Sequence, residues 1–99
     1  MKTMIRLHYC FRGQVQGVGF RYKMYYLAQK YGVTGWVRNE YDGSVSAEVQ
    51  GEEAAVDMIL QALFSDRYIE IQDMETKKLP LHEGERGFLM ENSIEGLLV

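Results

Sequence analysis

The sequence has one cysteine, one proline and two histidines in 99 residues, and its formal net charge is only -3. A lone Cys10 cannot close an intramolecular disulfide. No C-x-x-C pair or His/Cys cluster offers the ligand set that zinc requires, so neither a metal nor a cofactor is expected and a reducing compartment fits best. Fourteen acidic against eleven basic side chains leave no broad basic face of the kind that draws nucleic acid or anionic lipid. No stretch approaches the roughly 20 apolar residues of a membrane span, and Arg6 arrives too soon after Met1 for a signal-peptide apolar region. These absences together predict a cytoplasmic protein with no membrane partner and no nucleic-acid partner.

What is present is an ordinary globular mixture, 46% hydrophobic and 25% charged. The length suits one domain, large enough to build a core without disulfide or metal staples and expected to act as a monomer. Ile5, Leu7, Tyr9 and Phe11 alternate with Arg6, His8 and Arg12, the period of a half-buried strand with those polar residues on the outer face. Phe20, Met24, Leu27, Ala28 and Tyr31 then recur at helical spacing, and Gly32 is a stop signal. Val33 to Asn39 reads as a second strand. Asp42-Gly43 is a turn signal before Val45, Ala47 and Val49, which alternate with Ser44, Ser46 and Glu48.

Glu52-Glu53 open a second helix with Ala55, Met58, Ile59, Ala62 and Leu63 on its apolar face, ending near Phe64. Ile69 to Gln72 suggests a fourth strand, 79–84 a loop, and Gly87 to Met90 a short final strand. Glu83 to Arg86 reads as a solvated stretch. The order is β-α-β-β-α-β, an α+β ferredoxin-like sandwich in which both helices cover one face of an antiparallel sheet. The domain is expected over 1–92, with a tail at 93–99 that has no assigned role.

Between the first strand and the first helix lies Gly13-Gln14-Val15-Gln16-Gly17-Val18-Gly19. A glycine-rich strand-to-helix loop can aim several backbone N–H groups at one anion, reinforced by the partial positive charge of the helix end. Such a loop is also a common way simply to turn tightly. Arg21, in the first helical turn, adds a permanently charged bidentate donor. Phe20-Arg21 stands where a Walker loop needs Lys-Ser/Thr, and the G-x-G-x-x-G pattern is missing, so nucleotide readings lose support. A right-handed crossover makes the first two strands parallel with the third between them, which brings the loop and Asn39 to one sheet edge about 10 Å apart at ~4.8 Å per strand.

Gly13 to Arg21, followed by Gly35-Trp36-Val37-Arg38-Asn39 and Asp42-Gly43-Ser44-Val45, resembles the acylphosphatase family, most strongly from about Arg6 to Gln50. The resemblance implies hydrolysis of small acyl phosphates. It implies phosphate binding by the loop Gln16, Gly17, Val18, Gly19, Phe20 and Arg21, with Asn39 holding the attacking water and no metal involved. Glu40 stands where that family often has a small or apolar residue, and is expected to face solvent.

Other features take blander readings. His8 and His82 are far apart and are assigned no role, and Cys10 is read as structural. Tyr22, Tyr25, Tyr26 and Trp36 are read as packing residues. Two rival functions share the pattern. One is an anion-binding module without turnover. The other is an RNA-recognition domain, which this strand pattern disfavours because it lacks paired stacking aromatics.

Overall fold

The computed structural model describes residues 3–91. The tail expected at 93–99 lies outside them. The chain runs β1 (Met4–Gln14), α1 (Phe20–Tyr31), β2 (Thr34–Asn39), β3 (Val45–Glu52), α2 (Glu53–Phe64), β4 (Glu70–Leu79) and β5 (Phe88–Glu91). The five strands form one sheet in the order β4-β1-β3-β2-β5. β3 is antiparallel to both β1 and β2, so β1 and β2 run the same way, as the right-handed crossover requires.

The core lies between one face of the sheet and the two helices. Tyr9, Phe11, Val37, Val45, Ala47 and Val49 from the strands meet Phe20, Met24 and Ala28 of α1 and Val56, Ile59 and Leu63 of α2. This is the ferredoxin-like α+β sandwich that the order of elements predicts. Phe11 is fully buried, with its ring centroid 5.0 Å from that of Phe20. That contact ties the end of β1 to the start of α1, and truncating either ring to alanine would cost about 3–5 kcal/mol. Helix α1 stops where the glycine allows it: Gly32 is left-handed at φ 69°, and its N–H caps the Ala28 carbonyl.

Several expectations are corrected. The expected short final strand is present as β5, but it pairs with β2 in parallel, so the sheet is not wholly antiparallel. β4 is ten residues long because it follows β1 along its whole length, from Arg6↔Leu79 to Gln14↔Glu70. In α2 the buried positions are Val56, Ile59 and Leu63, while Met58 is exposed. Tyr25 packs against the core, but Tyr22 and Tyr26 are exposed.

The largest correction concerns the face of the sheet away from the helices. Arg6 does lie there, but it is buried at 5% exposure. Its Nη1 donates to Glu85 Oε1 at 2.8 Å and its Nη2 to Glu48 Oε1 at 2.8 Å. Glu85 therefore belongs to no solvated run. Thr34 Oγ1 also donates to its carboxylate at 2.7 Å, and the Gln50 side chain binds the His82 backbone in both directions. The segment leading into β5 is thus strapped across the sheet, and the Gly35 N–H donates to the Gly87 carbonyl where β5 begins.

Candidate active site

The loop leaves β1 after Gln14 and folds with Val15 fully buried, so its apolar residue is anchored in the core while its backbone stays at the surface. Gly17 and Gly19 both have positive φ, 74° and 79°. Gly19 is the N-cap of α1 in the left-handed region, which a side chain would disfavour. No backbone or side-chain acceptor among the described residues takes a hydrogen bond from the amides of Gln16 to Tyr22; the first helical bond is from the Lys23 N–H to the Gly19 carbonyl, at 3.0 Å. An unsatisfied run of amides at a helix N-terminus is the arrangement that receives an anion.

A hollow of about 140 Å³ opens at this point, lined by Val15, Gly17, Gly19, Phe20, Arg21, Tyr22 and Asn39. One water needs only ~10–15 Å³, so there is room for a larger group. The fold thus brings Gly17, Gly19, Phe20, Arg21 and Asn39 together. Val18 packs part-buried against the core instead of lining the hollow. Gln16 also lies outside the lining. Its Nε2 donates to the carbonyls of Glu40 (2.7 Å) and Ser44 (2.9 Å), both in the turn after Asn39, and so uses both amide hydrogens to clamp the loop to the β2–β3 turn.

Arg21 Nη1 donates to the Glu91 carbonyl at 2.9 Å. β5 therefore restrains one arm of the guanidinium, and its other donors have no hydrogen-bond partner among the described residues. Asn39 is the last residue of β2, opposite Val45 on β3. Below it the turn is held by Asp42, whose Oδ1 accepts from the Ser44 Oγ (2.6 Å) and N–H (3.0 Å). These bonds hold the Asp42 carboxyl below its ordinary pKa, the Ser44 hydroxyl first and its N–H second.

Glu40 is half-buried rather than facing open solvent. Its Oε2 accepts from Arg38 Nε at 3.1 Å, and it does not line the hollow. Arg38 lies over the Trp36 ring, 4.8 Å from its centroid, and its Nη1 donates to Glu91 Oε2 at 3.3 Å. The carboxylate that would have repelled an anion is thereby engaged elsewhere. Sequence reasoning missed the Glu91 carbonyl, because a backbone acceptor on a distant strand leaves no mark in residue type. Among the described residues, no group of three or more His, Cys, Asp and Glu side chains is arranged to hold a metal ion.

Fold and hollow together define a small α+β domain with a cavity where a strand-to-helix loop, Arg21 and Asn39 meet. The acylphosphatase family profile matches residues 7–90. An acylphosphatase of Oceanobacillus iheyensis is 49% identical over 70 residues, covering 69% of this chain and 77% of its own length. One from Clostridium acetobutylicum is 40% identical over 77 residues, covering 77% and 85%. The crystal structure of acylphosphatase from Bacillus subtilis superposes with a TM-score of 0.80 at 30% identity, covering 88% of this chain and 98% of that one. The chain therefore belongs to the acylphosphatase family and is a hydrolase of acyl phosphates.

Proposed function

We propose that the hollow at the start of α1 binds the phosphoryl group and that Asn39 holds the water that attacks it. The observation that carries this reading is the convergence of Gly17, Gly19 and Phe20, from the stretch of unpaired amides, with Arg21 and Asn39 on one cavity. The amides of Gly17 to Phe20 cradle the phosphoryl oxygens, and Arg21 adds a charged, planar grip. The Asn39 amide orients a water for attack on phosphorus from the side opposite the leaving oxygen. A bond forms from water oxygen to phosphorus as the bond to the carboxyl oxygen breaks. The carboxylate departs with that electron pair, and both protons of the water remain on the phosphate produced.

A carboxylate is a good leaving group and needs no protonation to depart, so the reading requires neither a histidine acid nor a carboxylate base. Acceleration comes from fixed donors facing the charge on the phosphoryl oxygens and from placing the water. We further propose that the protein acts as a cytoplasmic monomer on small acyl phosphates, without nucleic acid or membrane. No helix among the described residues is long and apolar enough to cross a membrane.

The test is hydrolysis of benzoyl phosphate by purified protein with no metal added, with Arg21→Gln as the control. The variant should keep its circular dichroism spectrum and lose most of its turnover. Unchanged turnover in Arg21→Gln would remove Arg21 from the mechanism, and phosphate binding by the wild type without hydrolysis would leave an anion-binding module.

A further inference from the structure

The phosphate cradle says nothing about the acyl group, yet one residue at its edge does not fit a packing role. Tyr22 lines the hollow beside Arg21 and Asn39, and is nevertheless 58% exposed. Phe20, Met24 and Ala28 form the buried stripe of α1, and Tyr22 lies on the opposite side of the helix. Helical side chains lean toward the N-terminus, so from the third position of α1 the phenol ring leans back toward the mouth of the hollow. Tyr26, 67% exposed, follows one turn later and sits edge-on to Tyr25, ring centroids 5.6 Å apart. Residues four apart are surface neighbours, so an aromatic ridge begins at the cavity and runs away from it along α1.

We infer that Tyr22 is the platform for the acyl group and biases the enzyme toward acyl phosphates with a planar aromatic acyl part over small ones such as acetyl phosphate. The inference rests on the phosphoryl site proposed above. With the phosphoryl group seated at the loop amides and Arg21, the acyl part must leave through the open mouth, and the exposed ring is the apolar surface it meets. A flat acyl group laid against that ring removes apolar area from water on both partners, and the gain is largest when the acyl part is itself aromatic. Stacking on a part of the substrate that does not react is the same in the ground and transition states, so it acts on KM and leaves kcat alone.

The test compares benzoyl phosphate with acetyl phosphate in the wild type, Tyr22→Ala and Tyr22→Phe, with inorganic phosphate as a competitive inhibitor. Alanine keeps the Tyr22 amide and removes only the ring. The ratio of kcat/KM for benzoyl over acetyl phosphate should fall roughly three- to tenfold in Tyr22→Ala, through KM, and stay at the wild-type value in Tyr22→Phe. An unchanged ratio in Tyr22→Ala would overturn the inference. So would a rise in the phosphate inhibition constant matching the rise in both KM values, since the ring would then be supporting the cradle. A wild type that hydrolyses neither substrate would instead overturn the catalytic reading, and the selectivity with it.

Discussion

Arg21 is held by a strand seventy positions further along the chain: its Nη1 donates to the Glu91 carbonyl oxygen at 2.9 Å while the same residue lines the hollow. One edge of the guanidinium is thus fixed to β5, and its remaining donors are presented in a set plane. A fork of donors held this way loses less freedom when it meets a tetrahedral oxyanion than a free side chain would.

Arg21→Lys should therefore behave as a severe change despite keeping the charge. An ammonium is a point donor that can serve the Glu91 carbonyl or the phosphoryl oxygens, but it cannot span both with a planar fork. Losing a charge-assisted bidentate contact should lower kcat/KM for benzoyl phosphate about 10- to 100-fold and weaken inhibition by inorganic phosphate in step. Steady-state kinetics with phosphate titration measures both. A loss under about twofold would mean that charge alone is used.

Asn39→Ala should separate turnover from binding. Asn39 lies at the end of β2, across the sheet edge from the loop, and in the proposed mechanism it contacts the water rather than the phosphate. Misplacing the nucleophile should lower kcat roughly 10- to 100-fold and leave the phosphate inhibition constant within about twofold. Parallel changes in both would place Asn39 in the phosphate cradle.

Gln16 acts one step back from the chemistry. Its amide joins the loop to the carbonyls of Glu40 and Ser44, so it fixes the separation between the loop and the strand end that carries Asn39. Gln16→Ala should cost about 1–2 kcal/mol in urea unfolding for two neutral hydrogen bonds, and should lower kcat more than it weakens phosphate inhibition. Gln16→Glu, which cannot donate to either carbonyl, should be at least as damaging. Wild-type kcat in both variants would show that the clamp is not needed.

The parts of this architecture that were legible in the sequence are those set by neighbours along the chain. Helix α1 is marked by the spacing of Phe20, Met24 and Ala28 and by Gly32 at its end, and the β2–β3 turn by Asp42-Gly43. The glycine loop with Arg21 and Asn39 was legible because two short motifs fall at the ends of parallel strands. What was not legible depends on partners far away in sequence. β5 pairs with β2 only after the segment before it has crossed the sheet. Arg6 looks like an outward strand residue until Glu85, 79 positions away, covers it. Tyr22 and Tyr26 sit in a tyrosine-rich helix whose inner face is already filled by other residues, so composition suggested packing where the structure shows exposure.

The Arg6–Glu85 pair gives the fold a defined acid sensitivity. Burial pushes the Glu85 carboxyl up. The Arg6 hydrogen bonds, the Thr34 hydroxyl and the nearby Arg6 and His82 charges together outweigh that, so its pKa lies below the ordinary value of 4.5. A carboxyl with a depressed folded pKa contributes stability that is present above about 4.5 and is lost as pH falls through the folded value. Arg6 keeps Glu48 when Glu85 is changed, so the guanidinium is not stranded. Glu85→Gln should cost about 1.5–3 kcal/mol near neutral pH, the range for hydrogen bonds to a charged group. The gap between wild type and variant should narrow below 4.5 as the wild-type carboxyl takes up its proton. Urea unfolding of both proteins across that range reads the difference directly, with the other carboxyls common to the two. A gap that stays constant down to acid pH would mean that Glu85 stabilises the strap by shape and not by charge, and that acid unfolding starts elsewhere, with the Lys23–Asp66 pair as the next candidate because that hydrogen bond also holds its carboxyl below the ordinary value.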